Sequence, residues 1–253
     1  MAVSCVHCVI CFGNRTMSLC FNKILDVNRS GWSRRSFLLP SLALTVVSFS
    51  QAVQGQPATH PNLNARLLVA ARVKDFASVE RALKAGAHPD SRNREGKTVL
   101  MIAAETGDNQ LAGAMIKAGA DVNLAALSKV TPLMAAAYGG NLPLVTMLLE
   151  RGAKTDLLDR VHKPALIYAA GQGHSAVVNA LLASGVPVDK VYHNDLTPMM
   201  WAAAYGHSAT VAMLLERGAD PKRRDNRGKT ALDMARDGKH EAVVKLLASK
   251  TGQ

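Results

Sequence analysis

Between residues 65 and 250 the apolar residues fall into pairs of short runs, and the pairs recur every 33 residues. The first run of a pair reads Leu133-Met134-Ala135-Ala136-Ala137 or Met199-Met200-Trp201-Ala202-Ala203. The second reads, for example, Val211-Ala212-Met213-Leu214-Leu215. Polar stretches rich in glycine separate the runs. This pattern predicts two short helices per period. A repeat of roughly 20–50 residues marks a stack of small units, none of which can bury its apolar face alone. Such a stack points to binding rather than catalysis.

Two ladders hold the register. Glycine recurs at Gly86, Gly119, Gly152, Gly185 and Gly218, and Thr98, Thr131, Pro164, Thr197 and Thr230 keep the same spacing of 33. Threonine ahead of a helical run caps free N–H groups, and proline at the first helical position lacks only a donor that has no partner there. Paired alanines let neighbouring helices approach closely. Gly107, Gly140, Gly173 and Gly206 predict the end of the first helix, where a left-handed residue is needed. The later glycine ends the second helix in the same way. The polar stretch between units has room for a turn or a short hairpin.

Thr131-Pro132-Leu133-Met134-Ala135-Ala136-Ala137, its copy from Thr197, and the closing Gly119-Ala120-Asp121 and Gly218-Ala219-Asp220 resemble the ankyrin repeat. The family pattern is T-P-L-H-x-A-A-x-x-G-H and then L-L-x-x-G-A-D. The resemblance covers residues 65 to about 250. It implies an all-α ankyrin-repeat solenoid of about six helix–turn–helix–hairpin units over 63–253, after a linker at 53–62. The family histidine is Met101, Met134, Ile167, Met200 and Asp233 here, and Pro164-Ala165-Leu166 replaces Thr-Pro-Leu in one copy. Packing is expected to survive these changes, with weaker hydrogen bonding at the hairpins. The first unit, from Ala65, lacks the motif, and the last, Thr230 to Ser249, stops before a Gly-Ala-Asp. Both are expected to be caps.

Residues 1–52 stand apart. Ser33-Arg34-Arg35-Ser36-Phe37-Leu38-Leu39 resembles a twin-arginine export signal, with Arg34, Arg35 and Phe37 as its motif. The apolar run from Phe37 to Phe49 has 13 residues, too short to span a membrane and suited to a signal h-region. Ser50-Gln51-Ala52 offers small residues for cleavage near Ala52. A signal peptide over 1–52 and a periplasmic mature protein are expected, with Met17 an alternative start to Met1. The competing reading is a basic pair before a weak apolar anchor. Cys5, Cys8, Cys11 and Cys20 all lie in this leader. Their spacing has the look of a metal or cluster motif, but removal of the segment and the lack of downstream cysteines argue against one. A mature chain without cysteine permits an oxidising compartment.

The chain carries a net charge of +11; losing the leader's five basic residues and one acidic residue leaves +7 for residues 53–253. That favours acidic partners weakly. Lys222-Arg223-Arg224 with Arg227 and Lys229 forms the densest basic patch, beside Asp220 and Asp225. It has no interleaved aromatics and reads as a solvated hairpin tip. No nucleic-acid partner and no stable membrane span are expected. Gly171-Gln172-Gly173-His174-Ser175-Ala176 fits a relaxed dinucleotide fingerprint. The fingerprint needs a preceding strand, and a helix precedes it here. His174, His207 and His240 recur every 33 residues. Stacked helices lie roughly 8–10 Å apart, too far for one metal to reach all three, so these histidines are read as helping to start the second helix. Tyr168 and Trp201 share a slot with Ile102 and Met234 and are read as core. No nucleophile has a base placed by a recognisable motif. The chain is read as a non-enzyme with no cofactor and no metal.

In the ankyrin family, targets meet the hairpin tips and the exposed side of the first helix. The matching positions begin with Arg94, Glu95, Lys97 and Glu105, then Leu127, Ser128, Val130 and Tyr138. Arg160, Val161, Lys163 and Gln172 follow, then His193, Asn194, Leu196 and Tyr205, and finally Asn226, Arg227 and Lys229. The middle copies are apolar and aromatic and the ends charged, which is the anatomy of a protein interface. The bland alternative is that loops vary and scattered exposed apolar residues are normal. Tyr138 and Tyr205 are the best anchors. The expected function is a monomeric, non-enzymatic scaffold that binds another protein in the bacterial periplasm. An accessory role beside a redox or stress-defence enzyme, a toxin-neutralising immunity role, and regulation at a membrane surface are the alternatives.

Overall fold

The computed structural model describes residues 62–252. The leader, with its cysteines and the Arg34, Arg35 and Phe37 motif, lies outside the described residues. Twelve α-helices are present among those described: α1 Leu63–Arg72, α2 Phe76–Lys84, α3 Val99–Thr106, α4 Asn109–Lys117, α5 Pro132–Tyr138, α6 Leu142–Glu150, α7 Ala165–Gln172, α8 Ser175–Ala183, α9 Pro198–Ala204, α10 Ser208–Glu216, α11 Ala231–Asp237 and α12 Glu241–Thr251. They pair into six units. The odd-numbered first helices pack in one row, α1 against α3 and so on to α11, and the second helices from α4 to α12 pack in another. No described residue forms a strand. This is the solenoid of six units that the ladders predict.

The start of each first helix follows from its threonine. The side chains of Thr98, Thr131, Thr197 and Thr230 accept hydrogen bonds from the N–H groups of Met101, Met134, Met200 and Asp233 at 3.2–3.3 Å. At Thr131 and Thr197 the return bond goes to a methionine sulfur, at 3.4 and 3.5 Å. Sulfur is a weak acceptor, so this half of the box is weaker than the carboxylate version at Thr230, where Asp233 accepts at 2.9 Å. Pro164 offers no side-chain cap to α7.

The core is a stack of equivalent side chains. Leu67, Leu100, Leu133, Leu166, Met199 and Leu232 hold one slot in six successive first helices, and each is buried. Met115, Leu148, Leu181, Leu214 and Leu247 do the same in the second helices. The alanines Ala136-Ala137, Ala169-Ala170 and Ala202-Ala203 are buried with them. Having no side chain beyond Cβ, they let adjacent first helices come close enough for the leucines to interlock. Thr210 is a buried polar member of the second-helix stack, and its hydroxyl shares a 2.9 Å hydrogen bond with that of Ser175 in the neighbouring unit.

The recurrent histidines do something other than start α8, α10 and α12. Each precedes its helix without making a side-chain cap, whereas Asp75, Asp108 and Asn141 do cap α2, α4 and α6. Instead the imidazoles reach back one unit. Nε2 of His174 meets the carbonyl of Tyr138 at 3.0 Å, His207 that of Gly171 at 2.9 Å, and His240 that of Ala204 at 3.0 Å. These carbonyls sit at the ends of first helices, where acceptors lack helical partners. The rings lie so close to Gly140, Gly173 and Gly206 that an added Cβ there would meet an imidazole atom at 2.5–2.6 Å. Those glycines therefore serve a left-handed backbone and a close approach together. In the two end units the same left-handed position is held by Lys74 and Lys239.

Candidate protein-binding face

Each hairpin between units is one closed turn. Asn93, Ala126, Asp159, Tyr192 and Asp225 each donate their N–H to the carbonyl four residues on. The residue three on is left-handed: Gly96, Lys129, His162, Asp195 and Gly228. The three middle turns hold this conformation with a side chain present, so the tips carry Lys129, His162 and Asp195 where glycine would carry nothing.

Two of the turns are built on buried carboxylates. Asp159 accepts from the N–H groups of Val161 and Lys163 at 2.9 and 2.8 Å, and from the Tyr168 hydroxyl. Asp225 accepts from the N–H groups of Arg227 and Lys229 at 2.9 and 2.8 Å and pairs with the Arg227 guanidinium at 2.8 Å. Burial alone would raise the Asp225 carboxyl, but these hydrogen bonds and the Arg227 charge hold it below the usual carboxylate range. Tyr168 is pushed well above the ordinary phenol value, by burial first and by the Asp159 carboxylate second.

Tyr138, Tyr205 and Leu127 are exposed, at 39, 47 and 58% of their surface. Arg94, Arg160, His193 and Arg227 are exposed at the tips. Val130 and Leu196 are half-buried and pack on the core instead of standing free. Trp201 and Tyr168, read from the sequence as core, pack against the core but each keeps part of its surface open. Tyr138 meets Tyr168 edge-on with centroids 5.9 Å apart, and Trp201 stacks on Tyr205 at 6.0 Å. The structure thus forms two aromatic pairs on the three middle units, the second joined by Lys163, whose ammonium lies 4.3 Å from the Trp201 ring centre. It does not bring Arg94 or Arg227 to them: each belongs to an end of the stack.

The lysines show the same contrast. Lys97, Lys163 and Lys229 hold one slot. Lys97 is 3.0 Å from both Glu95 and Glu105, and Lys229 pairs with Asp237. Burial works against the Lys97 charge, yet its hydrogen bonds to Glu95 and Glu105 carry its pKa above the ordinary lysine value. Lys163 has no such pair among the described residues. Burial lowers its pKa, opposed only by the charge of Asp159.

The tips are stitched together by backbone bonds from Leu127 N–H to the Glu95 carbonyl, Arg160 to Ser128, and Asn226 to Asn194, at 3.1–3.3 Å. Among the described residues, no equivalent joins the fourth and fifth units. There His193 sits in a short 3-10 turn, His193–Asp195, and stacks on His162 with centroids 5.5 Å apart. A second set of ties is interrupted at the same place. Asp90, Asn123 and Asp189 accept from the N–H groups of Asp121, Lys154 and Asp220 at 2.7–3.1 Å. Asp156 faces Pro187 in that slot, and proline has no N–H to give. A cleft of about 280 Å³ opens there, lined by Asp156, Leu158, His162, Lys190 and Tyr192.

Among the described residues, no group of three or more His, Cys, Asp or Glu side chains is placed to hold a metal ion, and no helix is long and apolar enough to cross a membrane. Paired helices in two rows, closed by hairpins, define a helical-repeat binding scaffold. The family model described as Ankyrin repeats (3 copies) matches residues 67–159 and 166–253, and the chain belongs to the ankyrin-repeat family. Proteins of this family are generally non-enzymatic scaffolds for protein–protein interaction. No curated protein matches the chain.

Proposed function

We propose that the chain is an exported scaffold that holds one protein partner on the first-helix side of its middle units. The observation that carries this reading is the exposure of Tyr138, beside Tyr168, and of Tyr205, beside Trp201 and Lys163; these two are the aromatics among the exposed large apolar side chains of the described residues. Tyrosine and tryptophan supply large contact area at little cost in side-chain entropy, and they dominate interface energetics. Arg94 and Arg227, at the two ends, then act on association rate and salt dependence more than on complex lifetime. A pull-down with the mature chain followed by affinity measurement tests this. Changing Tyr138 and Tyr205 together to Ala should weaken the captured partner by about 2 kcal/mol or more. Unchanged affinity would move the interface elsewhere, most plainly to the basic segment 222–229.

Export rests on the order of Arg34-Arg35, Phe37, the apolar run and Ala52. Replacing both arginines by lysine should hold precursor in the cytoplasm. Normal processing of the Lys-Lys variant would rule out the twin-arginine route.

A further inference from the structure

Lys97, Lys163 and Lys229 are copies of one position, and the fold treats the first and third alike. Lys97 pairs with Glu105 and Lys229 with Asp237, each eight residues on, near the end of the first helix. For Lys163 the residue eight on is Gly171. A Cβ there would find only ordinary contacts, 3.7 Å from Trp201 and 3.9 Å from Tyr205. Gly171 is helical, so its lack of a side chain answers no backbone need and costs about 1 kcal/mol against alanine. What it leaves is a notch floored by the stacked rings of Trp201 and Tyr205, with a half-buried ammonium at its side that forms no ion pair among the described residues. The notch lies between the fourth and fifth units, where both sets of hairpin ties are interrupted.

We infer that this notch receives an Asp or Glu side chain of an acidic partner segment, which supplies to Lys163 the carboxylate that Glu105 and Asp237 supply to its copies. The inference rests on the proposed binding face and names the chemistry of its occupant. A carboxylate suits the place for three reasons. The ammonium is already partly out of water, so little further desolvation opposes pairing. The apolar rings beside the ammonium lower the local dielectric and so strengthen the pair. The gap is the one left by the missing side chain of Gly171, so it matches one side chain of the partner and leaves the partner backbone to the exposed tyrosines.

The test uses a displayed random-peptide library selected against the full chain. Selected peptides should carry Asp or Glu at one fixed position, and changing that acid to its amide should weaken binding about tenfold. Lys163→Met should remove this difference, so that acid and amide peptides bind the variant alike. Gly171→Glu, which rebuilds the pair seen at Lys97, should weaken the acidic peptides at least tenfold without lowering the melting temperature. If the glutamate variant fails to fold, the acid–amide comparison on Lys163→Met decides alone. Tyrosine-dependent peptides without a fixed acid, or an acid–amide difference that survives Lys163→Met, overturn the inference and leave the binding face standing. A library that yields no peptide sensitive to Tyr138→Ala and Tyr205→Ala overturns the face and the inference with it.

Discussion

Gly173 and Gly185 both hold a positive φ, 78° and 99°, yet they answer different needs. A side chain at Gly185 would meet nothing within 4 Å, while one at Gly173 would strike the His207 ring. Gly185→Ala should therefore cost about 1–2 kcal/mol, the strain of a left-handed alanine. Gly173→Ala should cost more. His207→Ala removes the obstacle and the bond to the Gly171 carbonyl together, so the double variant should be less destabilised than the sum of the two singles by about 0.5 kcal/mol or more. Chemical melts of the four proteins check this; strict additivity would deny the contact. The glycine ladder itself was legible from spacing, because only glycine takes that backbone freely. The histidine contact was not, since a residue 36 positions from its acceptor carries no local signal. The Lys163–Gly171 pair was legible in principle: eight-residue offsets compared across units show Glu105, Gly171 and Asp237.

At the scale of the helix, caps and core divide the stability. Thr197→Ala should lose the bond to the Met200 N–H and cost about 1 kcal/mol. Pro164→Ala should lose no side-chain cap, because Pro164 makes none. Leu166, buried between units, should cost about 2–5 kcal/mol when cut to Ala; a loss below about 1 kcal/mol in a denaturant melt would place it outside the core. The helix boundaries followed from threonine and glycine, whose roles are local. Which face of each first helix stays open did not: Trp201 and Tyr168 have the apolar character of core residues, and only the packing of neighbouring units leaves them half open. The left-handed Lys129, His162 and Asp195 were equally hidden, because their conformation is imposed by the closed turn and not favoured by the residue.

Over the whole stack, the last unit should respond to acid. The Asp225 carboxyl is held low by hydrogen bonds and Arg227 despite its burial, and Asp233 by its bonds from Thr230. A carboxyl whose folded pKa lies below its unfolded value contributes stability above pH ~4 and loses it as pH falls through the folded pKa. The wild-type melting temperature should thus fall as pH drops below about 4, and the Asp225→Asn, Asp233→Asn double variant should fall less steeply over that range. An equally steep fall would assign the acid sensitivity elsewhere. Binding is the property that the stack as a whole has to explain, and site-specific photo-crosslinking in cells tests it most directly. A photoreactive residue at position 138 or 205, on the first-helix side, should join the chain to one protein partner, and the same residue at Glu216 or Lys245, exposed on α10 and α12, should not. Crosslinks to a partner from 216 or 245 with none from 138 or 205 would contradict the account.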